Sequence, residues 1–123
     1  MIRPTHRLHD YLEHMLTAIG RIAAFTSGMA EAEFLHDTKT QDAVMRNLEI
    51  IGEAAHNVLR RHAEFASTHP QIPWRLDYEL RNSVSHGYSD VDLEIVWATT
   101  RDDLPALEEQ LTALLRAIPE EPA

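Results

Sequence analysis

Apolar side chains return every three or four residues along most of this chain, the spacing that gathers them on one face of an α-helix. Leu8, Tyr11, Leu12, Met15, Leu16, Ile19, Ile22 and Ala23 predict a first helix from about Thr5 to Phe25, stopped by Ser27-Gly28. A short helical piece, Ala30 to Leu35, follows. Asp37 or Thr38 can then cap a second long helix, because a side-chain oxygen there accepts from a free N–H of the first turn. Its stripe of Val44, Leu48, Ile51, Ala55 and Val58 carries it to about His62. Ala54 and Ala55 near Gly52 leave room on this helix for a close neighbour.

Ser67, Thr68, Pro70 and Pro73 mark Ala66 to Pro73 as a loop. Leu76, Leu80 and Val84, four apart, predict a third helix from about Trp74 to His86, ended by a turn over Gly87 to Asp90. Asp90 or Asp92 caps a fourth helix that runs to about Ile118 on Leu93, Val96, Trp97, Leu104, Leu107, Leu111, Leu114 and Leu115. Pro105 interrupts that pattern, so the helix either kinks there or restarts after Asp102-Asp103. No period-two alternation, internal repeat or low-complexity tract is visible. The expected fold is all-α. It is one domain over residues 1–123, an up-and-down bundle of four main helices plus a short one, with the tail 119–123 frayed. The stripes on the first two long helices are wide for one face of a small bundle, which points to a homodimer seam, although an ordinary monomer core accounts for them nearly as well.

Composition narrows the function classes. A chain of 123 residues with 44% hydrophobic content can bury one modest core. There is no cysteine, which excludes a disulfide framework, a thiolate metal site and a cysteine nucleophile. No apolar run resembles a signal peptide or approaches the roughly 18 residues of a membrane span, so a soluble, cytoplasmic protein is expected. The net charge is −9, from 20 acidic residues against 11 Lys plus Arg. That balance counts against a broad nucleic-acid-binding surface, whose affinity is largely electrostatic. Lys39 is the one lysine, and the other ten cations are arginines. Any phosphate contact must therefore be local, arginine-based and held in a cleft.

The densest chemistry lies in Arg81-Asn82-Ser83-Val84-Ser85-His86-Gly87-Tyr88. Arg81 is a permanent cation whose planar fork suits phosphate oxygens. His86 titrates near neutrality and can take or give a proton. Asn82 is a neutral donor and acceptor, and Tyr88 an oriented hydroxyl. On a straight helix Arg81 and His86 lie roughly 140° apart, so they converge only if the arginine reaches round or the helix ends near His86. Gly87 supplies such an end. Spacing alone fits a helix C-cap, with Arg and His satisfying terminal carbonyls, as well as it fits a site.

This octapeptide matches the R-x4-H-x-Y signature of HEPN domains, and more narrowly resembles the HepT-like toxins encoded beside a minimal nucleotidyltransferase antitoxin. Ile50-Ile51-Gly52-Glu53-Ala54-Ala55 resembles their second-helix patch, and Ile72-Pro73-Trp74 the opening of their active-site helix. Val91-Asp92 through Ile95-Val96-Trp97, with Leu104-Pro105-Ala106-Leu107, is similar to their last helix. The likeness runs from about Leu8 to Leu115. It implies an α-helical homodimer with RNA cleaved, without a metal or cofactor, at a cleft between the two signature helices. The 2′-hydroxyl that such cleavage uses would separate RNA from DNA. Carried over by position, Arg81 and His86 are the catalytic pair, Asn82 supports them, and Tyr88 is the residue the partner nucleotidyltransferase AMPylates to silence the toxin. Asp77, Tyr78 and Glu79 depart from the pattern, since relatives tend to have small or apolar residues there. Two acids a turn before the site would weaken phosphate binding. A non-catalytic HEPN module that serves as the partner or substrate-presenting subunit of a nucleotidyltransferase is the alternative.

Other clusters read more simply. His6 and His9, with Asp10 and His14 nearby, gather metal-ligand types, but at a helix start rather than in the dry, supported pocket a specific site needs; no metal is expected. Arg60-Arg61-His62 closes the second long helix, where cations offset the helix dipole, and could also help to hold RNA. Glu53 would lie near an apolar seam, to reach across a dimer, orient Arg81 or rest in solvent. Trp74 and Trp97 read as core anchors.

Overall fold

The computed structural model describes residues 7–79 and 91–118, and among these there is no β-strand. The described residues form seven helical pieces in order: α1 Leu8–Phe25, α2 Glu31–Leu35, α3 Thr38–Arg61, α4 Ala63–Thr68, α5, described over residues 76–79, α6 Leu93–Ala98 and α7 Leu104–Ala117. A five-residue π-turn, Thr99–Asp103, joins α6 to α7. The all-α expectation holds. No described helix is long and apolar enough to cross a membrane.

Helices α1 and α3 form the central pair. Leu12, Met15, Ile19 and Ile22 on α1 are buried, as are Val44, Leu48, Ile51, Ala55 and Val58 on α3. Burying a side chain of this size stabilises the fold by about 1.5–3 kcal/mol. The two wide stripes are therefore spent within one chain, on each other, and their width no longer argues for a dimer. Helix α7 closes the core through Leu104, Leu107, Leu111 and Leu114, and α2 inserts Phe34, whose ring centroid lies 5.3 Å from that of Trp97.

The termini follow local chemistry. The extended backbone of Arg7 ends α1 at Leu8, later than the predicted Thr5, which lies outside the described residues. Gly28, at φ +71°, makes the turn after α1; a left-handed residue there is cheapest as glycine. Asp37 caps α3, accepting from the Thr40 N–H at 3.1 Å and the Thr40 hydroxyl at 2.7 Å. Those bonds, with Lys39 nearby, hold its carboxyl below the ordinary 3.8. Asp92 caps α6 by accepting from the N–H groups of Glu94 and Ile95.

One expectation changes. The loop predicted from Ala66 begins with helix instead, because α4 runs to Thr68. Ser67 and Thr68 donate their hydroxyls to the carbonyls of Glu64 and Phe65, so the residues that resemble loop formers close a short helix. The fourth helix is interrupted near Pro105, as its pattern allowed: the backbone stays right-handed helical from Ala98 through the π-turn to Leu104, and Pro105 falls in the first turn of α7 just beyond it. Arg101, on the π-turn, lies over the Trp97 ring at 4.3 Å and donates to the carbonyls of Thr26 and Met29 at 2.9 and 2.7 Å. It ties the α1–α2 connection to α6.

Candidate functional site

The signature residues Arg81, Asn82, His86 and Tyr88 lie outside the described residues, as does the predicted third helix beyond residue 79. What is described is the frame that leads into them. Trp74 is buried, and its indole N–H donates to the His69 carbonyl at 3.0 Å, with its ring edge-on to Phe65. His69 stacks on Phe65 at 4.1 Å, and Ile72 is buried beside them. The Ile72-Pro73-Trp74 segment is thus an anchor, and it fixes where α5 starts. Trp97 is half-buried against Phe34. Both tryptophans are core residues, as expected.

One contact sets the distance between α5 and α3. A Cβ placed on Gly52 would meet the Cα and Cβ of Asp77 at 2.9 Å, closer than carbon atoms pack. Gly52 is therefore the place where α5 lies directly on the α3 backbone, and no other residue fits it without movement. Four residues on, the His56 Nδ1 sits 3.7 Å from an Asp77 carboxylate oxygen. Asp77 is half-buried against α3, so the first of the two acids that precede Arg81 serves the helix seam. Glu79 is exposed. Tyr78 is also turned to solvent, 57% exposed, with the Arg75 guanidinium 5.5 Å from its ring centroid.

On another flank of α3 an open groove of about 360 Å³ runs between α3 and α1. Arg46, Ile50, Glu53, Ala54, Asn57 and Arg61 supply its α3 wall, at spacings of four, three, one, three and four; Tyr11 and His14 supply the α1 wall. Tyr11 and Ala54 are buried, while Arg46, Glu53, Arg61 and His14 are exposed. Glu53 is thus a solvated groove residue. Arg60 and Arg61 both fall in the last turn of α3, as the dipole reading expects, but only Arg61 lines the groove. Arg46 and Asn57 were not singled out in the sequence. Their signal was the stripe itself, a polar row at helical spacing beside the apolar one.

The histidine-rich start of α1 resolves differently from its sequence pattern. His9, Asp10 and Glu13 bring one ligand-type atom each within 4.8 Å, and the His9 Nδ1 already lies 3.2 Å from Glu13. His14 faces the groove instead, and His6 lies outside the described residues.

An all-α bundle with these caps, this glycine seam and this anchored turn before the signature is HEPN-like. Comparison with known proteins agrees at family level: the ribonuclease HepT-like family model matches residues 15–114. The chain belongs to the HepT-like family. It is 42% identical over 105 residues to "Probable ribonuclease HepT" of Thermococcus cleftensis, covering 85% of this chain and 93% of that one. A "Putative RNase" of Methanocaldococcus jannaschii is 36% identical over 111 residues, covering 90% and 86%. Another, from Caldanaerobacter subterraneus, is 33% identical over 106 residues, covering 86% and 92%. No solved structure matches at a significant level.

Proposed function

We propose that this chain is a metal-independent endoribonuclease and the toxin of a type VII HEPN/MNT toxin–antitoxin pair. The observation that carries the reading is the family match across residues 15–114, which encloses an intact Arg81, Asn82, His86 and Tyr88. The ribonuclease names of its relatives support the substrate class. The anchored α5 supports it too, because a turn held by Trp74 and Gly52 gives the following signature a fixed origin.

In this reading His86 takes the proton of a ribose 2′-hydroxyl, whose oxygen attacks the adjacent phosphorus. The bond from phosphorus to the 5′-oxygen breaks, and the leaving oxygen takes a proton from the partner subunit's His86. Arg81 stabilises the extra negative charge on the phosphorus oxygens in the transition state, and Asn82 orients the pair. The products are a 2′,3′-cyclic phosphate and a 5′-hydroxyl. AMP on Tyr88, added by the cognate nucleotidyltransferase, places negative charge and bulk at the cleft mouth and repels RNA. The cytoplasm is the expected compartment, and a homodimer the expected assembly.

The test is cleavage of total RNA and tRNA in EDTA by the wild type, Arg81→Ala and His86→Ala. Cleavage by the wild type alone, with cyclic-phosphate ends, is expected. Products with 5′-phosphate ends, or an absolute need for Mg²⁺, would sink the mechanism. No cleavage by folded protein free of AMP would favour the non-catalytic partner module. That alternative has lost part of its support, since Asp77 is taken up by the seam with α3.

A further inference from the structure

The groove between α1 and α3 has no part in the chemistry proposed above, yet it meets the condition that the overall charge imposes. In a chain of net charge −9, phosphate can be held only where arginines are focused and outnumber the carboxylates beside them. Arg46 and Arg61 line the same groove, and neither forms an ion pair or hydrogen bond among the described residues. Asn57 lies between them on the same wall and His14 faces it from α1, adding hydrogen-bonding groups. Tyr11, Ala54 and Ile50 give a floor that is rigid because Tyr11 and Ala54 are buried.

We propose that this groove binds the sugar–phosphate backbone of single-stranded RNA, with Arg46 and Arg61 as phosphate contacts at its two ends. The proposal rests on the ribonuclease reading for its ligand and deepens it by naming how substrate is held away from the bond that breaks. The spacing suits a strand: fifteen residues of α3 separate the two arginines, about 22 Å at 1.5 Å per residue. That is the length of about six stacked nucleotides at 3.4 Å each. Glu53 stands between them, so phosphates are favoured at the ends of the groove and disfavoured at its middle. The groove therefore holds a strand in register rather than as a uniform cationic track. A second copy of the chain is the competing occupant.

Binding is measured by fluorescence anisotropy on the His86→Ala protein, which leaves RNA intact, with a labelled single-stranded RNA of about 12 nucleotides over a salt series. Each phosphate contact on a single strand contributes about 0.7 to the slope of log affinity against log salt. Arg46→Gln and Arg61→Gln are each expected to lower the slope by about 0.7, and the double variant by about 1.4. A fourfold rise in salt then weakens the double variant about sevenfold less than its parent. Glu53→Gln is expected to tighten binding, and this reversal of sign separates charge from structure. All three side chains are exposed, so the variants should melt with the parent. Unchanged affinity and slope overturn the proposal, as does a parent that binds no RNA. Loss of a dimer by the arginine variants, seen in sedimentation, overturns it in favour of the second copy. A wild type that cuts no RNA while binding follows the pattern overturns the ribonuclease reading and leaves the groove standing.

Discussion

Helix α3 presents two seams built on opposite principles. Toward α1 it offers Val44, Leu48, Ile51 and Val58, bulky side chains that fill space around the small Ala55. Toward α5 it offers Gly52, and the contact works because nothing is there. The first seam holds the bundle together by burying area, and each side chain contributes a share. The second positions the turn before the signature, and its geometry fails on the addition of a single carbon. Stability and site geometry thus depend on adjacent residues of one helix, Ile51 and Gly52, through unrelated physics.

Substitutions at these two positions separate the seams. Ile51→Ala removes a fully buried side chain and is expected to cost about 2–5 kcal/mol, a large part of the roughly 5–15 kcal/mol available to a domain of this size. Chemical denaturation should show the loss, with cleavage per folded molecule unchanged. Gly52→Ala acts the other way. Its Cβ meets backbone rather than a flexible side-chain end, so the strain of about 1–3 kcal/mol is relieved only by shifting α5. Alanine also gains about 1 kcal/mol of helix propensity over glycine. The two nearly cancel in stability, while the displacement of α5 remains. RNA cleavage is therefore expected to fall at least tenfold, since an ångström of misplacement can cost about a hundredfold, with a melting temperature close to the wild type's. Equal losses of stability and cleavage in the two variants would erase the distinction.

A third effect lies away from α3. Arg101 ties the α1–α2 connection to α6 by two hydrogen bonds and its stacking on Trp97. Hydrogen bonds from a charged donor contribute about 1.5–3 kcal/mol where buried, and less at this exposed position. Arg101→Ala is expected to cost about 1–2 kcal/mol, and Arg101→Lys to recover little, because one ammonium cannot reproduce the flat stacking of a guanidinium. Hydrogen exchange should locate the loss at residues 26–29, leaving the α1–α3 pair protected.

How far the sequence reveals this molecule depends on the range of the interactions involved. The α1 and α3 stripes and the caps at Asp37 and Asp92 are local and periodic, and they were readable. Helix α4 was not, since Ser67 and Thr68 favour a loop until their hydroxyls are seen to close a helix. The role of Asp77 could not be read either. As a carboxylate four residues before Arg81 it looks like an obstacle to phosphate; its pairing with His56 depends on where α5 crosses α3. The groove shows the same limit. The row Arg46, Ile50, Glu53, Asn57, Arg61 is written in the sequence, but its opposition to Tyr11 and His14 depends on the α1–α3 register. The signature Arg81, Asn82, His86 and Tyr88 is legible only as a motif, and its geometry lies outside the described residues.

The smallest expected effect belongs to the start of α3, and pH isolates it. The hydrogen bonds from Thr40, side chain first, then backbone, stabilise the ionised Asp37 and hold its carboxyl below 3.8. A carboxyl whose folded value is depressed adds stability above its unfolded value, and that addition is lost as pH falls through the folded value. Asp37→Ala should therefore lower the melting temperature slightly at pH 5–7, where the wild-type carboxylate is ionised in both states. The gap should narrow as pH drops below about 4, where the wild-type carboxyl also takes up a proton. Asp37→Asn should stay close to the wild type at neutral pH, because asparagine caps helices nearly as well, and should show no narrowing in acid. A gap between wild type and Asp37→Ala that is constant from pH 7 to pH 3 would mean that the cap works through its shape rather than its charge.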